Sequence, residues 1–503
     1  MKRLVTSKSF LILFSGLLFY LLFYDRASGL NALLITVYSL CLFLFIKKQP
    51  VGRIFKLQFA GTFVLALAVL FAHTTWSIVV FWICFATLLG NFAFTEIRHL
   101  QFSMALFFQS LRKLPPTLVQ QFSTGKEPRK VNYFSYLRFT ILPLLLLASF
   151  FTLYASASEP FRLSMNSLGQ RVAEFLSEIS FSRILFFLLG ILLFGLCFIE
   201  IFASKVIHRD ASIQSVLVRV RRKSKLFSLS RLLLRRKQVA ILLFALLNLM
   251  ILWLNYLDIR HIWFGFQWSG GYLKEFVHEG TYLLIVSILL SMSIAVYYLN
   301  SNLVFFKRNK LFNALVIAWL VQNLVMIVSV ALRNSYYIDY FALAYLRIFV
   351  YFFLAVCVVG LLTTIVMIHR RKSIGYLVSL NSVSVFVVVI LSCCFNWDAI
   401  IARYNFEHYN KSFVHYEFLA GLNDSALPYM NYTEEQIKEI SVVQHKRFSF
   451  SSSELYTKID FAAVIKRRTE AFKERWEKHH FLEWNYPESK AYSQLVSTAQ
   501  IVP

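Results

Sequence analysis

Charged residues are scarce in this 503-residue chain, and acidic residues are the scarcer kind, with 26 Asp and Glu against 52 Lys and Arg. Only 16% of residues are charged and 58% are apolar, whereas an average soluble protein has about 25% charged and about 45–50% apolar residues. A soluble globule of this length would need more polar surface, and a disordered chain would have fewer apolar residues. The composition excludes both classes and predicts a polytopic membrane protein.

Cysteine is also rare, and its placement excludes a secreted disulfide scaffold. All six cysteines lie in apolar stretches, and residues 403–503 contain none. We therefore expect no disulfide framework and no cysteine-based zinc site. As small apolar side chains, they are expected to pack between helices.

The motifs of the common enzyme classes are missing as well. The chain has no glycine-rich phosphate loop and no Gly-x-Ser-x-Gly elbow. His278-Glu279 begins like a zinc-protease motif, but Tyr282 stands where that motif requires a second histidine. We therefore expect neither a metal nor a cofactor.

The apolar residues are concentrated in stretches long enough to cross a bilayer, which takes about 20 residues per helix. We predict eleven transmembrane spans, which makes the fold all-α. Their approximate positions are 10–24, 29–46, 57–72, 76–95, 139–157, 184–204, 239–257, 282–299, 313–332, 342–368 and 376–395.

Basic residues alternate between successive connections, and this alternation predicts the orientation. Counted from an internal N-terminus, the cytoplasmic connections contain 31 Lys and Arg and the outer ones contain 7. Positive charge favours the cytoplasmic side, so an odd number of spans places the C-terminus outside. The same bias accounts for the net charge of +26 without nucleic-acid binding. A cleaved signal peptide covering the first span remains an alternative.

Four regions follow from this topology. Residues 1–95 form a four-span bundle, 96–138 a basic cytoplasmic connection, 139–402 a seven-span bundle, and 403–503 an extracytoplasmic helical tail. Apolar residues at helical spacing over 97–113 predict an amphipathic helix along the membrane surface. Pro115–Pro116 and Ser123–Pro128 predict a flexible linker after it. In the tail, Thr433 and Gln436 form a capping box, and a longer helix is expected to run from Asp460 toward His480.

Polar residues near the outer ends of the last four spans are the candidate site, because polar groups are costly inside a bilayer. Arg347 either snorkels to the interface or forms an ion pair with Glu279 or Asp398. Gln322 and Asn323 either join helices or line a solute path. The catalytic candidates are His278 and Glu279; the binding candidates are Thr281, Tyr282, Gln322, Asn323, Arg333, Tyr345, Arg347, Asp398, Arg403 and Asn405.

Several of these residues stand in ordered blocks that resemble a known family. The blocks are Phe276–Tyr282, Gln322-Asn323, Tyr345-Leu346-Arg347, Asn396-Trp397-Asp398 and Ile401–Asn405. Over about residues 240–430 they resemble the domain-of-unknown-function 4173 family of bacterial multi-pass membrane proteins. The resemblance implies the bacterial cytoplasmic membrane and names no activity.

Three functions fit the sequence. The first is a transporter-like or envelope-sensing component whose outer pocket binds a small solute or a lipid. The second is a membrane-embedded transferase or hydrolase acting on a lipid-linked substrate, with His278 as general base, Glu279 as its orienter or the acid, and Arg347 as an anion clamp. The third is a structural scaffold. Membrane lipid is the expected partner in each case, nucleic acid is not, and a homo-oligomer is compatible with all three.

Overall fold

The computed structural model describes residues 2–46, 51–122, 133–178, 181–198, 204–217, 227–264, 273–299, 309–448 and 460–499. These residues form helices joined by turns and short 3-10 segments, so the predicted all-α class is confirmed. A π-helical turn, Ile259–Trp263, continues α10. The α-helices are α1 (Lys2–Phe23), α2 (Leu30–Ile46), α3 (Arg53–Phe71), α4 (Thr75–Gly90), α5 (Ser103–Phe122), α6 (Tyr133–Ala157), α7 (Glu159–Glu178), α8 (Phe181–Phe198), α9 (Ser204–Ser212), α10 (Phe227–Asp258), α11 (Leu273–Leu299), α12 (Lys310–Phe341), α13 (Tyr345–Arg370), α14 (Ile374–Cys393), α15 (Trp397–Glu407), α16 (Tyr416–Ala420), α17 (Glu434–Arg447), α18 (Phe461–Glu477) and α19 (Tyr486–Ala499).

Six of these helices are long and apolar enough to cross a membrane: Arg53–Phe71, Leu234–Trp263, Thr281–Leu299, Lys310–Phe341, Tyr345–Arg370 and Ile374–Cys393. Five shorter apolar helices are Ser9–Phe23, Leu30–Phe45, Thr75–Gly90, Leu145–Ala157 and Phe181–Cys197. Each predicted span overlaps one of these eleven helices. The protein is therefore a multi-pass membrane protein, while the count of eleven spans stays a prediction.

The helices differ from the predicted stretches in three places. The ninth span was expected to end near residue 332, but α12 continues to Phe341 and has 32 residues, or about 48 Å at 1.5 Å per residue. The helix predicted over 97–113 is α5, which begins at Ser103 and extends past Pro115–Pro116 to Phe122, where a linker was expected. The remaining linker segment, Ser123–Pro128, lies outside the described residues. Residues 159–178, predicted only as a connection, form the helix α7.

The described chain divides into two compact units, each made of separate segments. The first comprises Met1–Arg26, Leu89–Phe94 and Met104–Ala203; the second comprises Ala27–Leu88, Thr95–Ser103 and Ser204–Pro503. The predicted four-region division concerns membrane sides and stays a prediction.

Within the first unit, α1 and α8 pack closely because glycines lie at their contact. A Cβ atom on Gly16 would be 2.7 Å from the side chain of Ile191, and one on Gly190 would be 2.9 Å from Phe19. Small residues that permit such close approach are typical of helix pairs in membranes.

In the second unit, α10 to α14 enclose a hydrophobic core. Phe244 of α10 and Phe312, Val316 and Leu320 of α12 are completely buried there, and Leu361 of α13 joins them. This core holds the polar residues of α10, α12 and α13 in fixed positions.

Hydrogen bonds gather the helix connections of the second unit into two groups. One group contains the connections rich in basic residues, and the other contacts the tail. The bonds of the first group are Gly52 N–H to Thr95 O (2.9 Å), Arg98 N–H to Asp210 Oδ2 (3.0 Å) and Leu217 N–H to Arg371 O (3.1 Å). Those of the second are Leu30 N–H to Trp484 O (3.0 Å), Asn423 Nδ2 to His73 O (3.2 Å) and Phe413 N–H to Tyr340 O (2.7 Å). Which group faces the cytoplasm stays a prediction.

The tail forms a small helical globule with its own core. Ile401, Leu419, Leu427, Ile465 and Phe472 are almost completely buried in that core. The predicted capping box at Thr433 and Gln436 is confirmed. The helix expected to run from Asp460 is α18, and the Asp460 side chain caps it. Around Asp424, two arginines add ion pairs, with Arg468 at 2.5 Å and Arg475 at 3.0 Å.

Candidate functional site

A cavity of about 390 Å³ lies where α11, α12 and α13 meet the tail. This volume lies within the usual range for small-molecule sites, about 300–1,000 Å³. Most of its lining is aromatic or aliphatic. The lining residues are Thr281, Tyr282, Asn334, Tyr337, Ala344, Tyr345, Leu346, Arg347, Val350 and Phe418. Four of the binding candidates from the sequence therefore share one cavity: Thr281, Tyr282, Tyr345 and Arg347.

The turn between α12 and α13 determines where Arg347 lies. Ala342 has a φ of 62° and a ψ of −172°, a backbone conformation that residues other than glycine rarely adopt, and it ends α12. Helix α13 then begins at Tyr345. The tenth span was predicted to begin near residue 342, which would place Arg347 deeper in the helix, whereas it belongs to the first turn of α13.

The guanidinium of Arg347 caps the preceding helix. Its Nη1 donates to the carbonyl oxygen of Phe341 at 2.6 Å and also to that of Ala342. The C-terminal carbonyls of a helix carry partial negative charge, which favours a cation there. The ring of Tyr337 lies under the guanidinium, with 4.5 Å between Cζ and the ring centroid, a cation–π distance.

No carboxylate in the described part of the chain lies within 4 Å of the Arg347 guanidinium. The predicted partner Asp398 binds other groups, and the side chains of His278 and Glu279 lie outside the described residues. Among the described residues, the contacts of the Arg347 guanidinium are helix carbonyls and Tyr337, so Arg347 brings a positive charge to a largely apolar cavity.

Asp398 does not line the cavity but binds Tyr345, which does. The hydroxyl of Tyr345 donates to Asp398 Oδ1 at 2.5 Å, and the backbone N–H of Asn423 donates to the same oxygen at 2.9 Å. Asp398 is buried in the first turn of α15. Phe418 meets the Tyr345 ring edge-on at 5.9 Å. The carboxylate therefore positions Tyr345 rather than lining the cavity.

Asn405 and Arg403 have separate roles. The Asn405 side chain accepts from Leu343 N–H at 2.8 Å and donates to Leu343 O at 3.1 Å, which clamps the α12–α13 turn to the tail. Arg403 is exposed and pairs with Glu407 at 2.7 Å. Arg403 does not line the cavity.

Gln322, Asn323 and Arg333 do not line the cavity either. Gln322 Nε2 donates to Asn248 Oδ1 at 2.6 Å, and Asn323 Nδ2 donates to the carbonyl of Trp319 in its own helix. Arg333 directly follows the predicted ninth span, 313–332, but it is buried inside α12 and pairs with Asp258 at 2.6 Å.

Sequence reasoning missed Asn334, Tyr337 and Phe418 in the cavity and Asp258 beside Arg333. The first two were assigned to a connection after a span ending near 332. A sequence signal was available, because apolar positions continue through Ile338 and Phe341 at helical spacing.

His73 is a buried titratable group at the junction between the tail and the α3–α4 turn. It is buried, with a φ of 47°, and its Nε2 lies 3.9 Å from Glu488 Oε1. Burial lowers the pKa of His73 below its ordinary value, although Glu488 opposes the shift. A histidine whose pKa falls on folding stabilises the folded form above its unfolded pKa of about 6.5, and this contribution is lost as the pH falls further.

We therefore expect the tail to be held most firmly near pH 8 and to loosen as the pH falls toward 5. Limited proteolysis of the full chain across this range measures the effect. His73→Asn should flatten the dependence, because asparagine tolerates a positive φ and does not titrate. The exposed His445→Asn is the control and should behave like the natural chain. A His73→Asn variant with an unchanged pH profile would contradict this assignment.

The family comparison covers most of the chain. The model of the family described as a domain of unknown function, DUF4153, matches residues 12–431. The family number expected from the sequence blocks, 4173, was wrong, and the match also includes the first two hundred residues. No curated protein and no solved structure matches the chain. This integral membrane protein therefore belongs to the DUF4153 family, whose function is unknown.

Proposed function

We propose that this protein is a transporter-like or envelope-sensing component that binds an anionic amphiphile, such as a lipid or fatty-acyl anion, in the α11–α13 cavity. The observation that carries the proposal is Arg347, a cation without a described carboxylate partner in a cavity lined mainly by apolar side chains. A charge in such surroundings is costly unless an opposite charge or good hydrogen bonds offset it.

The exposed apolar residues at the opening of the cavity favour an amphiphile as the ligand over a water-soluble anion. Leu346 is 68% exposed and Tyr282 is 42% exposed, and both lie on helices apolar enough to span a membrane. In a bilayer these surfaces contact lipid, so an alkyl chain has direct access to the cavity. The head group would bind the remaining N–H groups of Arg347, since a planar guanidinium matches phosphate and carboxylate oxygens.

The membrane side is part of the proposal. The alternating basic connections support an outer location for the tail and the cavity, in a bacterial cytoplasmic membrane. The enzyme alternative rests on His278 and Glu279, whose side chains lie outside the described residues, so no structural observation favours it.

A binding measurement tests the proposal. We expect the full chain in dodecyl maltoside to bind decyl phosphate at least tenfold more tightly than neutral decanol. Arg347→Ala should remove this preference, and Arg347→Lys should also lose most of it, because one ammonium cannot hold the helix carbonyls and the head group together. Microscale thermophoresis provides the affinities.

Two further variants serve as controls for the binding measurement. Arg403→Ala removes an exposed arginine and should bind like the natural chain. Val350→Trp should block the cavity while leaving Arg347 in place, which covers the case in which Arg347 variants unfold. Equal affinity for decyl phosphate and decanol, or unchanged binding in Arg347→Lys and Val350→Trp, would overturn the proposal.

A further inference from the structure

A second cavity, of about 640 Å³, lies between the end of α12 and the tail, and we call it the α12–tail cavity. Its volume is within the usual range for small-molecule sites, about 300–1,000 Å³. The α11–α13 cavity is mainly apolar, whereas the lining of this one is polar or aromatic: Asp339, Tyr340, Tyr404, His408, Lys411, Ser412 and Arg447. Its charged residues are exposed to solvent, so a polar, water-soluble ligand suits this cavity.

Hydrogen bonds hold the walls of the α12–tail cavity together. The loop after α15 is bound to the end of α12, because Ser412 Oγ donates to Asp339 O at 2.8 Å. The same loop is bound to α17, because Gln444 Nε2 donates to Ser412 O at 3.0 Å. Lys411 directly precedes Ser412, and Arg447 lies one turn after Gln444 on α17. The charged side chains of the cavity therefore extend from backbone positions that are fixed relative to one another.

The cavity contains charges of both signs that are not paired with each other. Among the described residues, no basic group lies within 4 Å of the Asp339 carboxylate, and no acidic group lies within 4 Å of Lys411 or Arg447. By contrast, Arg403 on α15 pairs with Glu407 at 2.7 Å. Charges that line a cleft attract small ions of opposite sign into it. A ligand with complementary charges can therefore bridge the separated groups.

One part of the lining favours an ammonium group. His408 Nδ1 lies 2.9 Å from Tyr404 O, and a carbonyl only accepts, so the neutral imidazole presents Nε2 as an acceptor. The imidazole stacks on the Tyr404 ring, with 4.2 Å between the centroids. Burial raises the pKa of Tyr404, and the Asp339 carboxylate raises it further. Carboxylate, imidazole nitrogen and aromatic rings all attract an ammonium group.

Lys411 and Arg447 favour carboxylates. The Arg447 guanidinium lies over the Phe448 ring, with 5.9 Å between Cζ and the centroid. Phe448 in turn meets the Tyr340 ring edge-on at 5.0 Å, which brings α17 against the last turn of α12. A planar guanidinium binds a carboxylate through two parallel hydrogen bonds, and a lysine adds a compact positive charge. The cavity therefore combines one carboxylate with two cations.

We infer that the α12–tail cavity binds an acidic amino acid, such as glutamate. One ammonium group and two carboxylates match Asp339, Lys411 and Arg447 in number and in sign. A dicarboxylic acid without an ammonium group would leave Asp339 beside a negative ligand, and a neutral amino acid would leave one cation without a carboxylate. The inference does not depend on the proposed function, because this cavity has a different lining.

Isothermal titration calorimetry of the full chain in dodecyl maltoside at neutral pH tests the site without any variant. The probes are L-glutamate, glutarate, which lacks the ammonium group, and L-glutamine, which has one carboxylate fewer. We expect glutamate to bind about tenfold more tightly than either analogue or better, because each analogue loses a charge-assisted hydrogen bond. Absence of glutamate binding, or equal affinity for glutamate and either analogue, would overturn the inference.

Two variants test the roles of the charged residues. Asp339→Asn should weaken glutamate binding about tenfold but not glutarate binding, whereas a disturbed fold would weaken both. Arg447→Gln should weaken both ligands, because both need the cation. Lys446→Gln removes an exposed cation of α17 that does not line the cavity, and it should bind like the natural chain. An unchanged preference for glutamate over glutarate in Asp339→Asn, or unchanged binding in Arg447→Gln, would contradict this site and leave the proposed function intact.

Discussion

Replacing Arg333 with methionine is expected to destabilise the protein by about 3–5 kcal/mol, because the carboxylate of Asp258 would be left buried without its partner. The pair is almost inaccessible to solvent, with side chains 8% and 5% exposed, so water cannot replace the lost contact. Thermal unfolding of the purified chain in detergent measures the loss.

Two controls show whether the loss comes from the unpaired charge. The double replacement Arg333→Met with Asp258→Leu should regain most of the stability, since well-packed apolar residues often substitute for a buried ion pair at little cost. Arg403→Met breaks the exposed pair with Glu407 and should cost less than about 1 kcal/mol. A stable Arg333→Met single variant would mean that Asp258 does not need a counter-ion.

Gly29→Ala is the second substitution with a large expected effect. A Cβ atom at Gly29 would lie 2.3 Å from the carbonyl oxygen of Glu483 and 2.7 Å from that of Trp484. Backbone atoms cannot rotate away as a side chain can, so the tail must shift. The bond from Leu30 N–H to Trp484 O would be strained or lost. We expect a cost of about 1–3 kcal/mol and much faster tryptic cleavage of the tail.

Gly421→Ala is the matched control for this substitution. A Cβ atom there would meet its nearest neighbour, Phe418 O, at 3.5 Å, which is ordinary van der Waals contact. Its proteolysis pattern should match that of the natural chain. If Gly29→Ala resists trypsin equally well, the contact between the start of α2 and the tail does not hold the tail in place.

The parts of the fold that local physics determines were predictable from the sequence. Hydropathy located each apolar helix because burial in lipid requires a continuous apolar run. The helix starts at Thr433 and Asp460 were predictable because a side-chain oxygen there satisfies the free N–H groups of the helix that follows. Neither inference needs knowledge of which helices are neighbours.

The candidate site depends on contacts between helices that are far apart in the sequence. These contacts could not be predicted from the sequence. Residues 333–340 appeared too polar to continue a span, yet Arg333, Asn334 and Tyr336 bond to Asp258, Arg347 O and Ile262 O on other elements. Asn248 and Asn255 recur seven residues apart in the sequence. The carbonyl groups to which their side chains donate are on α12, and the sequence does not show that the two helices are adjacent. A hydropathy scale includes the free-energy cost of placing a polar side chain in a span, but not the hydrogen bond to another helix that offsets this cost.

The tail is hydrogen-bonded to the ends of three separate helices. Its residues bond to the start of α2 through Trp484, to the α3–α4 turn through Asn423, and to the α12–α13 turn through Asn405. An N–H···O hydrogen bond has a donor–acceptor distance of about 2.7–3.2 Å and is no longer formed at about 3.6 Å. The three helix ends are thus attached to the same globule. A ligand that moves these helix ends apart must therefore also break their hydrogen bonds to the tail.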